Sequence, residues 1–139
     1  MWNEYSENHQ GFCVGFDTKK LFKSLGGGGL VVYDDDLPDI LPFDSHEVEH
    51  FKQVYTKKEK WAFEEEYRTY KFYLQTATVD DRRIKIPKEC YNEIIFGARQ
   101  QESHRQEIIS ICKEQELEVE YYVETTNENI VSIDRMPSR

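Results

Sequence analysis

The sequence predicts an α/β or α+β fold, a mixed sheet of about six or seven strands with three helices packed on it, and three observations carry that reading. Apolar runs of strand character, such as Leu30-Val31-Val32-Tyr33 and Glu93-Ile94-Ile95-Phe96-Gly97, alternate along the chain with segments whose apolar residues recur at spacings of three and four. Their order is strand, helix, strand, helix, three strands, helix and two strands, in which helices cover a sheet. Nine Tyr, eight Phe and two Trp among 139 residues supply a core for one domain and argue against disorder.

The elements follow in order. Trp2, Tyr5, Ser6 and His9 share a face at helical spacing, with nothing before them to cap a helix, so the chain reads as entering an element already begun. Gly11 to Asp17 is a strand with Phe12, Val14 and Phe16 on one side and the small Cys13 and Gly15 on the other, where something large must approach. Asp17 or Thr18 caps a short helix through Leu21, Phe22 and Leu25, which Gly26 to Gly29 ends as a flexible connector. Leu30 to Tyr33 then reads as a central strand covered on both faces, followed by a polar loop with Pro38 and Pro42.

Asp44 with Glu47 caps what reads as the longest helix, in which Val48, Phe51, Tyr55 and Ala62 repeat at helical spacing. Strand-type residues run from Tyr67 to Leu74, with Glu66, Arg68, Tyr70, Phe72 and Leu74 on one side. Asp80-Asp81 is a turn, Ile84-Lys85-Ile86 a short strand, and Glu93 to Gly97 a buried-type strand. A helix follows with Ile108, Ile111 and Cys112 inward, capped by Ser103 with Gln106. Leu117, Val119, Tyr121 and Val123 point inward with glutamates outward, and with Ile130 to Ile133 they read as edge strands with one solvated face.

Charge and cysteine content narrow the function classes. Acidic residues exceed basic ones by 27 to 18, for a net charge of −9, so nonspecific nucleic-acid binding is disfavoured, although one narrow basic pocket is compatible with an acidic whole. Cys13, Cys90 and Cys112 are odd in number and far apart, which fits a reducing, cytoplasmic setting better than a disulfide framework. No apolar stretch is long enough to span a bilayer and no signal-peptide pattern opens the chain.

Three constellations bear on chemistry. His9 and Cys13 are four apart, but no second ligand pair completes a metal site, and the plain reading of Trp2 and Tyr5 is core packing beside a hydrogen-bonded His9. In Trp61, Glu64, Glu66, Tyr67 and Arg68, alternation points Glu66 and Arg68 the same way, as an internal ion pair or as a site. There an aromatic-flanked carboxylate polarises a sugar hydroxyl and a guanidinium holds a phosphate. Gly26 to Gly29 runs from helix to strand, the reverse of a phosphate loop, and the acidic runs Asp34 to Asp36 and Glu114 to Glu120 read as solvated surface. No serine or cysteine sits in a hydrolase pattern.

The ordered set Trp2-x-x-Tyr5-x-x-x-His9-x-Gly11-Phe12-Cys13-x-x-Phe16-Asp17, Val32-Tyr33, Lys57-x-x-x-Trp61-x-x-Glu64-x-Glu66-Tyr67-Arg68, Pro87 and Ile95-Phe96-Gly97 resembles the bacterial domain of unknown function 2971 family, from residue 2 to about Ile111. The resemblance implies that the chain is the carboxy-terminal portion of a longer family domain, and no biochemical role comes with it. The overall pattern of full-length members is loosely similar to NAD-using ADP-ribosyltransferase-like folds. That similarity implies NAD as a cofactor and a ribose-contacting role for Glu66 or Glu64 in a toxin or phage-defence setting.

Two expectations result. In one the chain is a protein-interaction or ligand-binding module and Glu66 and Arg68 are a structural pair. In the other it is part of a nucleotide-binding enzyme domain, with Glu66 and Glu64 catalytic and Trp2, Tyr5, His9, Trp61 and Arg68 binding the ligand. Apolar surface around Trp2 and Gly15 adds a homo-oligomer as an expected partner.

Overall fold

The computed structural model describes residues 2–70, 76–127 and 130–136. Helices α1 (Trp2–Tyr5), α2 (Thr18–Leu25), α3 (His46–Val54) and α4 (Glu102–Glu114) alternate with strands β1 (Phe12–Phe16), β2 (Gly28–Leu30), β3 (Val32–Asp34), β4 (Thr56–Lys58), β5 (Tyr67–Thr69), β6 (Tyr91–Phe96), β7 (Glu120–Asn127) and β8 (Ile130–Arg135). The fold is mixed α/β, but these strands make one four-stranded and two two-stranded sheets in place of a single larger one. The chain divides into two compact units, Met1–Ser24 with Thr78–Arg139, and Leu25–Ala77.

In the first unit the sheet order is β1-β6-β7-β8. β6 runs antiparallel to β1 and parallel to β7, and β8 returns antiparallel along β7. A parallel pair requires a crossover, which α4 supplies. Its apolar stripe seals the core: Ile94, Phe96 and Cys112 are buried, with Ile108, Ile109, Leu117, Val119, Tyr121 and Met136 packed against them. Ile111, expected inward, is half exposed, since the stripe turns toward Ile109 instead. Gln101 stands at the N-cap without a side-chain bond, so Ser103 lies inside the first turn and does not cap. β7 is an interior strand, which is why Glu124 on it is 1 % exposed although the alternation places its glutamates in water. Residues 84–86 are not a strand, because no strand among the described residues pairs with them.

The second unit holds β2 against β5 antiparallel and β3 against β4 parallel. The run Leu30 to Tyr33 is not one strand covered on both faces: it is divided between β2 and β3, Val31 between them is buried, and Leu30 is 67 % exposed. Two-stranded ribbons in a small unit leave such a run without enough neighbours to cover it. Ser45 caps α3 by accepting from the Val48 N–H at 3.3 Å, and the helix ends at Tyr55, so Ala62 belongs to a separate 3₁₀ turn, Glu59–Glu64, and α4 is the longest helix. Gly26 and Gly27 take positive φ values where α2 gives way to β2. Arg68 and Thr69 on β5 stand where the sequence places a strand, whereas Phe72 and Leu74 lie outside the described residues.

Candidate functional site

In the second unit, alternation along β5 delivers Glu66 and Arg68 to one side, as the sequence indicates. Arg68 Nε donates to Glu66 Oε1 at 2.7 Å and one terminal nitrogen donates to Oε2 at 2.8 Å, a bidentate fork. The other terminal nitrogen donates to the Val54 carbonyl. Lys57 on β4 pairs with Glu64 and reaches Glu66 Oε2 at 3.4 Å, and the Glu66 N–H donates to the Tyr33 hydroxyl at 2.8 Å. The Arg68 fork holds the Glu66 carboxyl below its ordinary range against the opposing effect of burial, and Glu64 raises the Lys57 ammonium. Trp61 takes the Lys57 and Lys60 ammoniums over its ring at 5.1 and 5.2 Å. Two cations therefore meet two carboxylates, and the charge of Glu66 is already compensated from within the cluster.

In the first unit, the segment after α1 folds into a tight turn. Glu7, Asn8 and His9 all hold positive φ, at 48°, 57° and 69°. Three consecutive non-glycine residues there are strained and persist only where the surroundings enforce them. The surroundings are explicit: the His9 N–H donates to the Trp2 carbonyl at 3.4 Å, the His9 carbonyl accepts from the Arg99 N–H at 2.9 Å, and buried Ser6 donates its hydroxyl to the Trp2 carbonyl at 2.6 Å. A Cβ on Gly97 would overlap the His9 carbonyl, so only glycine lets the strand end approach this turn.

The same turn presents the imidazole. His9 Nδ1 lies 2.7 and 2.8 Å from the two oxygens of Glu124, whose side chain is fully buried, and Trp2 stacks on the ring at 6.3 Å. With Nδ1 engaged by the carboxyl group, Nε2 is the nitrogen left for other partners. The Ala98 N–H donates to Glu124 as well, at 3.1 Å. On β1, which β6 separates from β7, Cys13 has its thiol pushed up by burial and then by the charge of Glu124. The Gly97 carbonyl takes the Gln100 N–H at 3.1 Å and an Arg105 terminal nitrogen at 3.0 Å, yet Gln100 Oε1 and Arg105 Nε are buried with no hydrogen-bond partner.

The residues singled out from sequence thus fall into two sets. Trp61, Glu64, Glu66 and Arg68 belong to the second unit and are brought together there; Trp2, Tyr5 and His9 belong to the first, where Trp2 and His9 meet and Tyr5 is 62 % exposed. Glu124, Gln100 and Arg105 were missed. Their segments read as ordinary edge strand and helix, and the one signal was a glutamate on a strand that turns out to be interior. Among the described residues no group of three or more His, Cys, Asp or Glu side chains is placed to hold a metal, and no helix is long and apolar enough to cross a membrane.

Fold and sites together define a mixed α/β module with one self-neutralised ionic cluster and one histidine-bearing turn. Residues 1–69 match the family model described as Protein of unknown function (DUF2971), and over that span the chain belongs to this family. The match takes in the His9 turn and the cluster through Arg68, while Glu124, Gln100 and Arg105 lie beyond it. No curated protein and no solved structure matches the chain.

Proposed function

We propose that this chain is a ligand-binding module whose site is the His9 turn, with Glu124 orienting the imidazole and Gln100 and Arg105 supplying the remaining contacts. The observation that carries the proposal is the pair of buried, unpartnered polar atoms, Gln100 Oε1 on the loop whose Arg99 N–H holds the His9 carbonyl, and Arg105 Nε on the helix that bonds the Gly97 carbonyl in the same loop. Leaving such groups unmade costs about 1–3 kcal/mol each, a cost that binding recovers. An acceptor and a donor call for a ligand group carrying both, and a primary carboxamide is the simplest. Glu66 and Arg68 are a structural pair in this reading.

The test is thermal denaturation with nicotinamide, with NAD and with adenosine, which lacks the carboxamide. A ligand at a hundred times its dissociation constant adds about 2.7 kcal/mol of stability. Stabilisation by the carboxamides that Gln100→Leu removes supports the reading; no shift with either carboxamide, or a shift with adenosine alone, refutes it. The NAD-using enzyme reading requires in addition that Glu66→Gln weaken NAD binding.

A second reading rests on a separate observation. Leu30, Leu37, Ile40, Leu41 and Phe43 in the second unit are all at least 49 % exposed, and Phe43 is 98 % exposed. Apolar exposure of this density serves protein contact. Polar replacement of Leu41 and Phe43 tests it: binding to an identified protein, reconstituted from purified components, must weaken while the melting temperature holds.

A further inference from the structure

The first unit's sheet ends in two edges of opposite character. β8 carries Asp134 and Arg135, and Arg135 is paired to Glu120; such charges discourage a further strand. β1 carries none. Its sequence, Phe12-Cys13-Val14-Gly15-Phe16, lacks charge and proline in a chain of net charge −9, and among the described residues β6 is its sole strand neighbour.

The hydrogen-bond register shows which groups face outward. Gly97 donates to the Gly11 carbonyl, and the pairs Cys13 with Ile95 and Gly15 with Glu93 continue that alternation, so the main-chain groups of Cys13 and Gly15 point to β6. Those of Phe12 and Val14 point away, along the open edge. Phe12 and Val14 are also 44 % and 37 % exposed.

We infer that β1 pairs antiparallel with β1 of a second copy about a two-fold axis through Val14, joining two four-stranded sheets into one of eight. The strand reads the same in both directions by size: large, small, Val14, small, large. In this register Phe12 faces the second copy's Phe16, Cys13 faces its Gly15, and Val14 faces Val14 with reciprocal N–H to carbonyl bonds. An isologous pair satisfies both edges at once and closes, leaving nothing to propagate. The choice of a second copy over another strand rests on this palindrome, which an unrelated strand has no reason to match.

Light scattering after size exclusion over a range of protein concentrations tests the inference. The expected result is a dimer that dissociates on dilution. Val14→Pro removes an outward N–H without touching the β6 ladder and Val14→Lys puts a charge at the axis, so either gives a monomer whose circular dichroism matches the parent. In a Cys13→Ser background, Val14→Cys yields a disulfide-linked dimer on mild oxidation, because residue 14 stands opposite itself. A monomer at every concentration, an open-ended series of larger species, a dimer that survives both Val14→Pro and Val14→Lys, or a dimer without the Val14→Cys cross-link each overturns it.

Discussion

The Glu124 carboxylate, with its side chain at 0 % exposure, meets His9 Nδ1 through both oxygens, across 115 positions of sequence. This contact ties the strained turn of residues 7–9 to the interior of the sheet, and it fixes which imidazole nitrogen remains for a ligand.

Breaking the contact from one side leaves the other group stranded. His9→Ala leaves a buried carboxylate with only the Ala98 N–H, and is expected to cost about 3 kcal/mol. Replacing both partners in His9→Leu with Glu124→Leu is expected to cost less than the sum of the single changes, as a double-mutant cycle in urea measures.

Two glycines in the same sheet separate close approach to backbone from close approach to a side chain. A Cβ at Gly97 meets the carbonyls of His9 and Gly11, whereas one at Gly15 meets the Glu93 side chain. Gly97→Ala is therefore expected to cost about 2–4 kcal/mol and Gly15→Ala within about 1 kcal/mol, since a glutamate side chain swings aside and a carbonyl does not.

For Glu66 the pH dependence follows from the direction of its shift. The folded carboxyl is depressed by Arg68, so the folded protein binds fewer protons than the unfolded chain; the stabilisation is fully present above the unfolded value and is lost as pH falls through the folded one. Between about pH 5 and pH 3, bracketing the ordinary glutamate value of about 4.3, urea midpoints are expected to fall in the parent and to fall less in Glu66→Gln. At neutral pH that substitution is expected to cost about 1–2 kcal/mol, modest because the carboxylate is 28 % exposed. An unchanged midpoint at neutral pH would remove the case for a structural pair.

Phe96 and Phe43 are the same residue in opposite settings, at 0 % and 98 % exposure. Phe96→Ala empties the centre of the helix-covered core and is expected to cost about 3–5 kcal/mol. Phe43→Ala is expected to stay within about 0.5 kcal/mol, and calorimetry distinguishes the two.

Local pattern determined a good part of this protein. The β1 and β6 strands, the helices Thr18–Leu25, His46–Val54 and Glu102–Glu114, and the shared direction of Glu66 and Arg68 all follow from period, which depends on near neighbours in the chain, whereas the caps expected at Asp44 and Ser103 fall at Ser45 and Gln101. Only the tertiary structure decided what depends on distant partners. A strand becomes interior when two others flank it, so β7 buries Glu124, which its alternating pattern assigns to water. A continuous apolar run is covered only if neighbours exist on both sides, so Leu30 stands exposed. The union of His9 with Glu124, and of the Gly97 loop with both, rests on pairings whose sequence separation leaves no local trace.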